Sequence, residues 1–409
     1  MTTELRVLQG SEWDKWYAAL ELAFGGVAAP PERRELVRTI TDLDRSLALW
    51  DGDACVGTAG SVGFRMTVPG GSGVPVAGVT MVSVAGTHRR RGLLTAMMRR
   101  QLDDIRAWGE PLAALTASEP GIYGRFGYGM ATSQLKAEID TARVGLTVPA
   151  DTDTVRLRGT RPQDGLAEIE AVYARQVPGR PGMIARLPGW ERFQILDTPA
   201  DQAGASPLQC VLAERDGETL GYALFRLRPS WNDAGPDGSV EVQDLQAVEP
   251  GAYAALLRFL LGTDLTSRVS LGNRPADDAW QHLVTDVRRC GRRPWDGLHV
   301  RVVEVGAALA ARTYRAPVDV VIEVEDAFCP WNSGRWRLSG DPKGASCERT
   351  TDAAELALTV RELGTAYLGG FSLRELAAAG RVREIAPGAL AAASLAFGSE
   401  VAPWMAHGF

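Results

Sequence analysis

A repeated order of secondary-structure signals is the feature that most restricts the fold of this chain. Residues 45–98 read as a strand, an Asp-Gly turn, two further strands and a helix, and residues 209–262 read the same way. The aspartate of the turn precedes the last valine of the third strand by 33 residues in the first copy and by 32 in the second. We therefore predict two copies of one α+β fold, each a largely antiparallel sheet with helices on both faces.

The loop between strand and helix differs between the two copies. In the first copy, the apolar run Val79–Val84 leads into Arg89, Arg90, Arg91 and Gly92, and an amphipathic helix follows. Such a layout binds phosphate, because the first N–H groups of a helix have no partner. The helix macrodipole disfavours cations at this end, so three arginines indicate an anionic ligand; a solvated run of charge is the alternative. The second copy has EPGAYAA at this place, and we predict that it holds no phosphate.

The next strand is predicted at residues 112–118, and a glycine-rich aromatic segment begins where it ends. Residues 118–130 read SEPGIYGRFGYGM and contain two tyrosines. Glycines at close intervals let a backbone turn sharply and approach a ligand. A tyrosine with a pKa near its reference value of about 10 is protonated at pH 7 and can donate a proton. The segment predicts either a proton donor at a ligand site or a turn whose rings only pack.

Composition excludes several classes of function. A net charge of -6 argues against general binding of nucleic acids. The five cysteines and four histidines are scattered without metal-ligand spacing, so no metal is expected. No apolar run approaches the ~20 residues of a membrane span, and the N-terminus lacks a signal-peptide pattern. These observations predict a cytoplasmic protein without a membrane partner.

Shorter signals extend the prediction to the rest of the chain. Ser11 is expected to cap a first helix, and a second helix is expected over Pro31–Ile40. From about His299, strands around a helix indicate a third, smaller α/β domain. Two later helices are expected at residues 353–360 and 372–379.

The arginine loop resembles the signature of the GCN5-related N-acetyltransferases (GNAT). That signature is Arg or Gln, two residues, Gly, one residue and a small residue, and here the last position holds the larger Leu94. The resemblance implies that loop N–H groups bind the pyrophosphate of acetyl-CoA, that the preceding strand pairs with the pantetheine arm, and that two residues flank the thioester. The residues assigned to acetyl-CoA in this way are Val82, Ser83, Val84, Arg89, Arg90, Arg91, Gly92, Leu93, Leu94, Thr95, Ser118 and Glu119.

Longer segments resemble the Eis (enhanced intracellular survival) family of GNAT acetyltransferases over almost the full chain. They are residues 82–98, 118–129, 328–340, 363–384 and the ending PWMAHGF. The resemblance implies a GNAT domain over 1–148 that binds acetyl-CoA, a degenerate GNAT domain over 149–296, and a domain similar to sterol carrier proteins over 297–409. It also implies a homo-hexamer that acetylates primary amines, of the aminoglycoside or lysine type.

The same family implies the catalytic roles. Tyr123 is expected to be the general acid that protonates the departing thiolate of CoA, and the C-terminal carboxylate of Phe409 is expected to be the general base. No cysteine or serine motif suggests an acyl-enzyme, so we expect the amine to attack directly in a ternary complex.

The sequence departs from the family at the acceptor side. Family members that accept aminoglycosides tend to have an acid beside the terminal Phe, where this chain has Gly408, and the segment after Phe24 is also neutral. This difference predicts a smaller or less charged acceptor. Trp13 and Phe24 fall where the family places the aromatic walls of the acceptor pocket, although their helical spacing fits a buried face equally well.

Two functions of other classes remain open at this stage. The C-terminal domain could make the chain a lipid-binding carrier, since sterol carrier proteins bind lipids. Tandem GNAT folds also occur in aminoacyl-transferring ligases, which need a basic surface for tRNA. The net charge of -6 weakens the second alternative.

Overall fold

The computed structural model describes residues 3–409. Its helices are α1 (Trp13–Ala23), α2 (Pro31–Ile40), α3 (Leu93–Ala107), α4 (Leu166–Gln176), α5 (Trp190–Gln194), α6 (Pro199–Gln202), α7 (Pro250–Leu261), α8 (Trp280–Leu283), α9 (Val305–Ala310), α10 (Val360–Ala366), α11 (Leu373–Ala378) and α12 (Ala389–Phe397). Its strands are β1 (Glu4–Val7), β2 (Leu47–Asp51), β3 (Ala54–Thr67), β4 (Gly73–Val84), β5 (Leu112–Thr116), β6 (Gly129–Met130), β7 (Ser133–Asp140), β8 (Arg156–Thr160), β9 (Gln209–Arg215), β10 (Glu218–Arg228), β11 (Trp231–Asn232), β12 (Gly235–Pro236), β13 (Gly238–Ala247), β14 (Thr266–Pro275), β15 (Arg293–Asp296), β16 (Leu298–Val302), β17 (Val318–Glu325), β18 (Gly334–Asp341), β19 (Gly344–Arg349), β20 (Leu356–Thr359) and β21 (Val382–Glu384).

The described residues form two compact units. The first contains the residues up to Thr132 together with Gly297–Pro403 and Gly408–Phe409. The second contains Ser133–Asp296 and Trp404–His407. Division of the chain into domains after residues 148 and 296 remains a prediction.

A mixed sheet with the strand order β1-β2-β3-β4-β5-β16-β6 forms the centre of the first unit. Neighbouring strands are antiparallel except β4 and β5, which run parallel. The pairing of β4 with β5 ends at Gly78 and Ala114, although β4 continues to Val84. A bulge at Met81, whose φ is 54°, bends β4 in this part. Beyond Gly78, the side of β4 that faces β5 therefore has no strand partner within residues 3–409.

Helix α3 packs on this sheet because its apolar positions repeat at helical spacing. Met97, Met98, Leu102 and Ile105 are all fully buried, whereas residues 99 and 100, both arginines, are exposed. Full burial of each such side chain contributes about 1.5–3 kcal/mol. The helix that starts at the arginine loop is thus firmly held by its second, third and fourth turns.

Helices α1 and α2 lie close to the positions that the sequence predicts. Helix α2 has the predicted bounds, with Pro31 as its first residue. Helix α1 begins at Trp13, after a 3-10 turn over Gly10–Glu12, so the predicted cap at Ser11 is wrong. The Glu12 carboxylate instead accepts a hydrogen bond of 3.3 Å from the Gln9 N–H.

Strand β16 completes the first sheet from a distant part of the sequence. Its residues pair with β5 on one side and with β6 on the other, and all of them are buried. From the sequence, this strand is expected in the third domain, so that expectation is wrong. The apolar run indicates a buried strand but carries no sign of which sheet the strand joins.

The second unit repeats the order of the first. Its sheet has the strand order β15-β7-β14-β13-β10-β9-β8. Strands β9 and β10 form a hairpin, β10 is antiparallel to β13, β13 is parallel to β14, and α7 follows β13. Strands β2 to β5 and helix α3 have the same arrangement in the first sheet, so the predicted repeat is confirmed.

The C-terminal part of the first unit contains a third sheet with the order β19-β18-β17-β20-β21. The helix predicted at residues 353–360 is wrong, because residues 356–359 form β20, parallel to β17, and α10 starts only at Val360. Leu356 and Leu358 alternate inward with the period of a strand. The helix predicted at 372–379 is confirmed as α11, which Ser372 caps.

A buried arginine joins two helix ends in this C-terminal part. Arg312 is 1% exposed, and its guanidinium donates to the main-chain oxygens of Tyr367 and Phe397, the latter at 2.8 Å. These oxygens lie at the C-terminal ends of α10 and α12, where the helix dipole is negative. Burial lowers the pKa of Arg312. The two helix ends therefore stabilise a cation that has no carboxylate partner within residues 3–409.

Residues 3–409 contain neither a metal-binding cluster nor a membrane-spanning helix. Among these residues, no group of three or more His, Cys, Asp or Glu side chains is placed to hold a metal ion. None of the helices described is both long enough and apolar enough to cross a membrane.

Candidate active site

The loop between β4 and α3 presents main-chain N–H groups at the end of the first sheet. After a 3-10 turn over Gly86–His88, Arg90 and Gly92 adopt left-handed backbone angles, with φ of 62° and 77°. A backbone that switches between right- and left-handed angles turns successive N–H groups to one side and forms an anion-binding concavity. The first helical hydrogen bond runs from Ala96 N to Gly92 O (3.0 Å), and no side chain caps the helix. The N–H groups of the three residues before Ala96 are thus available to a ligand.

His88 fastens this loop to the hairpin of β2 and β3. Its Nε2 lies 3.1 Å from Oδ2 of Asp51, and its Nδ1 lies 2.8 Å from the hydroxyl of Thr87. Arg91 donates to the main-chain oxygen of Thr87 at 3.0 Å. The loop is therefore ordered by its own side chains, while residues 89–91 remain exposed.

The bulge in β4 is held from the β3 side. The Thr58 hydroxyl donates to the Met81 carbonyl (2.6 Å) and lies 2.7 Å from the hydroxyl of Ser83. Ser83 is buried, whereas Val82 and Val84 are half-buried. These hydrogen bonds fix the strand from one side, and the opposite edge of β4 keeps its main-chain groups free for an extended ligand.

Tyr123 lies in the turn that follows β5. Its ring meets the ring of Tyr128 edge-on, with 5.9 Å between the centroids. The hydroxyl of Tyr123 makes no hydrogen bond with any residue that the structure describes. Burial, and to a smaller extent the charge of Glu119, raise the pKa of Tyr123. The phenol is therefore protonated at neutral pH, as a proton donor must be.

The glycines around Tyr123 allow close packing of other parts of the first unit. A Cβ on Gly129 would lie 2.1 Å from the carbonyl oxygen of Arg361, and one on Gly127 would lie 2.8 Å from the guanidinium of Arg301. A Cβ on Gly124 would lie 2.8 Å from the guanidinium of Arg361. The sequence predicted glycines that admit a ligand, whereas these three admit β16 and α10, which hold the tyrosine segment in place.

The last residue of the chain lies against β4. The Thr80 hydroxyl donates to the main-chain oxygen of Phe409 at 3.0 Å. The Phe409 ring is 5.3 Å from the ring of Phe64, and its edge would be 3.0 Å from a Cβ on Gly78. Gly78 is also the last residue of β4 that pairs with β5. The chain terminus therefore lies where the two parallel strands separate, beside the free edge of β4.

Comparison with known proteins places this site in a family. Two acetyltransferase (GNAT) domain models match residues 4–131 and 182–302, and a sterol carrier protein domain model matches residues 305–406. A protein of Streptomyces avermitilis described as an uncharacterized N-acetyltransferase is 66% identical over 100% of both chains. N-acetyltransferase Eis of Mycobacterium tuberculosis is 37% identical over 91% of each chain. The chain belongs to the Eis family of GNAT N-acetyltransferases.

The Eis family also accounts for the architecture. The crystal structure of Eis1 from Mycobacterium abscessus, 36% identical in sequence, matches the fold with a TM-score of 0.84 over 100% of both chains. Two GNAT domains and a C-terminal sterol carrier domain confirm the predicted α+β fold class. The prediction that the chain is an N-acetyltransferase is likewise confirmed.

In this Eis-family chain, an acidic side chain packs against the first turn of α7 in the second GNAT domain. A Cβ on Gly251, in the first turn of α7, would lie 2.5 Å from a carboxylate oxygen of Asp151. Asp151 in turn lies 3.5 Å from Arg215, which also pairs with Glu249. A carboxylate thus lies beside the positive end of α7, which favours an anion, although no side chain caps this helix.

The two aromatic residues that the sequence assigned to the acceptor lie at opposite ends of α1. Trp13 is 2% exposed, stacks on Tyr17 with 4.7 Å between the rings, and donates to the Thr41 hydroxyl at 3.3 Å. Phe24, just after α1, is 61% exposed. Ser118, in the turn after β5, is exposed as well. A role for Trp13 and Phe24 in acceptor binding stays a prediction.

Several residues at this site were missed in the sequence. The hydroxyl of Thr80, the ring of Phe64 and the charge of Arg301 carried no recognisable signal, because each is an ordinary residue of a strand. Gly78 did carry a recognisable signal, since an isolated glycine inside an apolar strand often marks the close approach of another group. The predicted loop, Tyr123 and Phe409 are all placed by the structure in the first unit.

Proposed function

We propose that this enzyme transfers the acetyl group of acetyl-CoA to a primary amine, of a small molecule or of the lysine type, by direct attack in a ternary complex. The observation that carries the proposal is the position of Phe409 on Thr80, where β4 leaves β5. The terminal main-chain group and the free edge of β4 are thereby neighbours. Approximation of two substrates at one such point can supply much of the rate.

The chain offers suitable groups for each part of the donor. The N–H groups before Ala96 and the exposed residues Arg89–Arg91 suit the diphosphate and phosphate groups. The edge of β4 at Val82–Val84 suits the amide groups of the pantetheine arm, as an added strand would. Ser118 and Glu119 follow β5, and we assign them to the thioester end. When bound, acetyl-CoA supplies the activated acetyl group.

Two proton transfers are assigned to groups of the chain. The C-terminal carboxylate of Phe409 takes the proton that the amine must lose, because an ammonium ion cannot attack. Tyr123 gives its phenolic proton to the sulfur of the departing thiolate. Its raised pKa keeps this proton available at neutral pH.

The state of Cys329, which lies near the tyrosine segment, supports direct transfer of the acetyl group without an acyl-enzyme intermediate. Cys329 packs in the same apolar cluster as Phe126 and Tyr128. Burial raises the pKa of the Cys329 thiol to about 11, so the thiolate is scarce at neutral pH. A thiol nucleophile would need the opposite shift.

The surface near the end of α1 supports an acceptor with few charges. Leu22, Phe24 and Val27 are 72%, 61% and 84% exposed, and Gly25 and Gly26 between them bring no charge. Gly408, beside the terminal residue, brings none either. We therefore propose amines that carry one positive charge and an apolar group, in preference to polycations.

The assembly and location are proposed from the family resemblance. We propose a homo-hexamer in the cytoplasm. Light scattering coupled to size-exclusion chromatography tests the assembly, and a mass of one or two chains at micromolar concentration would overturn it.

The decisive experiment follows release of CoA thiol from acetyl-CoA in the presence of a panel of primary amines. We expect release above background, with apolar monoamines ahead of aminoglycosides. A matched pair of proteins, one with an added peptide before Met1 and one with the same peptide after Phe409, tests the base. We expect only the second to be inactive. A folded protein that releases no thiol with any amine would overturn the proposal.

A further inference from the structure

Two buried polar atoms lie without partners behind Tyr123. They are the hydroxyl of Tyr128 and Nε of Arg301, and neither has a hydrogen-bond partner among the described residues. Tyr128 is 1% exposed and Arg301 is fully buried. Buried polar atoms are nearly always paired, so two unpaired ones in the same region call for an explanation.

Arg301 is held rigidly on its other nitrogens. Nη2 donates to Oδ2 of Asp326 at 2.7 Å, and Nη1 donates to the carbonyl of Val302 at 2.8 Å. Asp326 in turn accepts from the side chain of Asn332 and from the N–H of Cys329, both at 2.9 Å. These contacts fix the guanidinium and leave only Nε without a partner.

The fixed guanidinium lies directly against the tyrosine segment. Its Cζ and Nε would both be 2.8 Å from a Cβ on Gly127, so only a glycine fits next to Tyr128. The positive charge of Arg301 opposes the rise that burial causes in the pKa of Tyr128. The edge-on contact with Tyr123 then connects Tyr128 to the proposed proton donor.

We propose that Tyr128 and Arg301 are positioning residues for Tyr123, and that the charge of Arg301, acting through the polarised hydroxyl of Tyr128, stabilises the phenolate that Tyr123 becomes when it protonates the leaving sulfur. This inference rests on the proposed role of Tyr123 as general acid.

The proton balance is simple. The O–H bond of Tyr123 breaks, its electron pair stays on the phenolic oxygen, and the proton forms the S–H bond of free CoA. The phenolate then takes a proton from solvent. A buried anion without a partner is strongly disfavoured, so a fixed cation nearby lowers the barrier to this step.

Other charged or titratable groups lie near Tyr123, its segment or Arg301. They are Glu119 in the preceding turn, Arg125 in its own turn, Asp326 and Cys329 after β17, and Arg361 on α10. Glu119 opposes the formation of a phenolate, and Asp326 neutralises part of the charge of Arg301. The variants below leave all of these groups unchanged.

Tyr128→Phe is the sharpest test, because the hydroxyl that it removes makes no hydrogen bond. Loss of a merely structural hydroxyl should leave turnover and its pH profile unchanged. We expect kcat at pH 7 to fall about tenfold, and the alkaline limb of kcat to move up by about one pH unit, since one pKa unit is a tenfold change in proton-transfer equilibrium. The melting temperature and the Kd for CoA should equal those of the parent enzyme. Tyr367→Phe, which removes a buried hydroxyl that bonds Ala308, is the matched control for kcat.

Arg301→Lys and Arg301→Gln provide a second test. The charged Lys variant should keep most of the parent kcat, and the neutral Gln variant should resemble Tyr128→Phe. Tyr123→Phe is measured in parallel. If Tyr123→Phe is slow and Tyr128→Phe matches the parent at every pH, the positioning role is wrong while the general acid stands. If Tyr123→Phe is as fast as the parent, both assignments fall.

Discussion

The hydroxyl of Thr80 donates a hydrogen bond of 3.0 Å to the main-chain oxygen of Phe409, a residue 329 positions further along the chain. Thr80 lies on the bulged part of β4, where the strand has lost its partner β5. The bond fixes the last residue at the edge that we assign to the donor. The position of the proposed base therefore depends on a side chain of the first sheet.

Replacement of Thr80 should test this dependence. Thr80→Val keeps the shape of the side chain but removes the donor, and we expect kcat to fall about ten- to 150-fold, as for the loss of about 1.5–3 kcal/mol from a hydrogen bond to a charged group. Thr80→Ser retains the hydroxyl and should stay within about twofold of the parent enzyme. Steady-state kinetics with a saturating amine would show the difference, and equal kcat values for both variants would argue against the positioning of Phe409 by Thr80.

The arginine loop should be sensitive to a single methyl group. Gly92 has φ of 77° and open space around it, so Gly92→Ala strains the backbone by about 1–2 kcal/mol without a steric clash. We expect the Kd for CoA, measured by calorimetry, to rise at least about tenfold because the N–H groups lose their alignment.

Gly109, at the other end of α3, is the matched control for this variant. It has φ of 75° and equally open surroundings. Gly109→Ala should lower the free energy of unfolding by a similar amount but leave the Kd for CoA unchanged. If both variants weaken CoA equally, the loop has no special part in donor binding.

Tyr123→Phe should lower kcat by about 100-fold, within the usual range for loss of a general acid, with little change in the Kd for acetyl-CoA. The raised pKa of Tyr123 also fixes the sign of the pH dependence. Tyr123 can donate a proton only in its phenol form, so kcat should begin to fall only above the ordinary tyrosine pKa of about 10. An alkaline decline of kcat centred at pH 8 in the parent enzyme would point to a different acid.

Arg312 should contribute to stability alone. Arg312→Met leaves the carbonyls at the ends of α10 and α12 without their donor, and we expect a loss of about 2–4 kcal/mol in the free energy of unfolding. Arg315→Met, at an exposed neighbour, should stay within about 0.5 kcal/mol of the parent. Denaturant unfolding measures both; an unchanged midpoint for Arg312→Met would show that the helix ends do not need the cation.

Local patterns were sufficient to predict much of this molecule. Helix α2, the hairpin of β2 and β3, the repeat and the arginine loop all depend on signals within a few residues, and the structure reproduces them. Residues 356–359 were misassigned as helix because two leucines in a short apolar run fit either period.

The remaining features depend on contacts between distant residues. Nothing within the sequence of β16 shows that it lies between β5 and β6. Likewise, the spacing of Trp13 could not distinguish a pocket wall from its observed stacking on Tyr17. The family resemblance suggested a role for the carboxylate of Phe409, but nothing in the sequence indicated its contact with Thr80, since sequence patterns say little about where a chain end lies.

The place of β16 in the first sheet has a consequence for synthesis on the ribosome. The segment that carries Tyr123 ends in β6, and β6 pairs with residues that are translated about 170 positions later. At roughly 5–20 residues per second, the nascent chain waits roughly 10–30 s before these residues emerge. During this interval the edge of β5 is exposed to other chains, so we expect the nascent enzyme to need chaperones until β16 has left the exit tunnel.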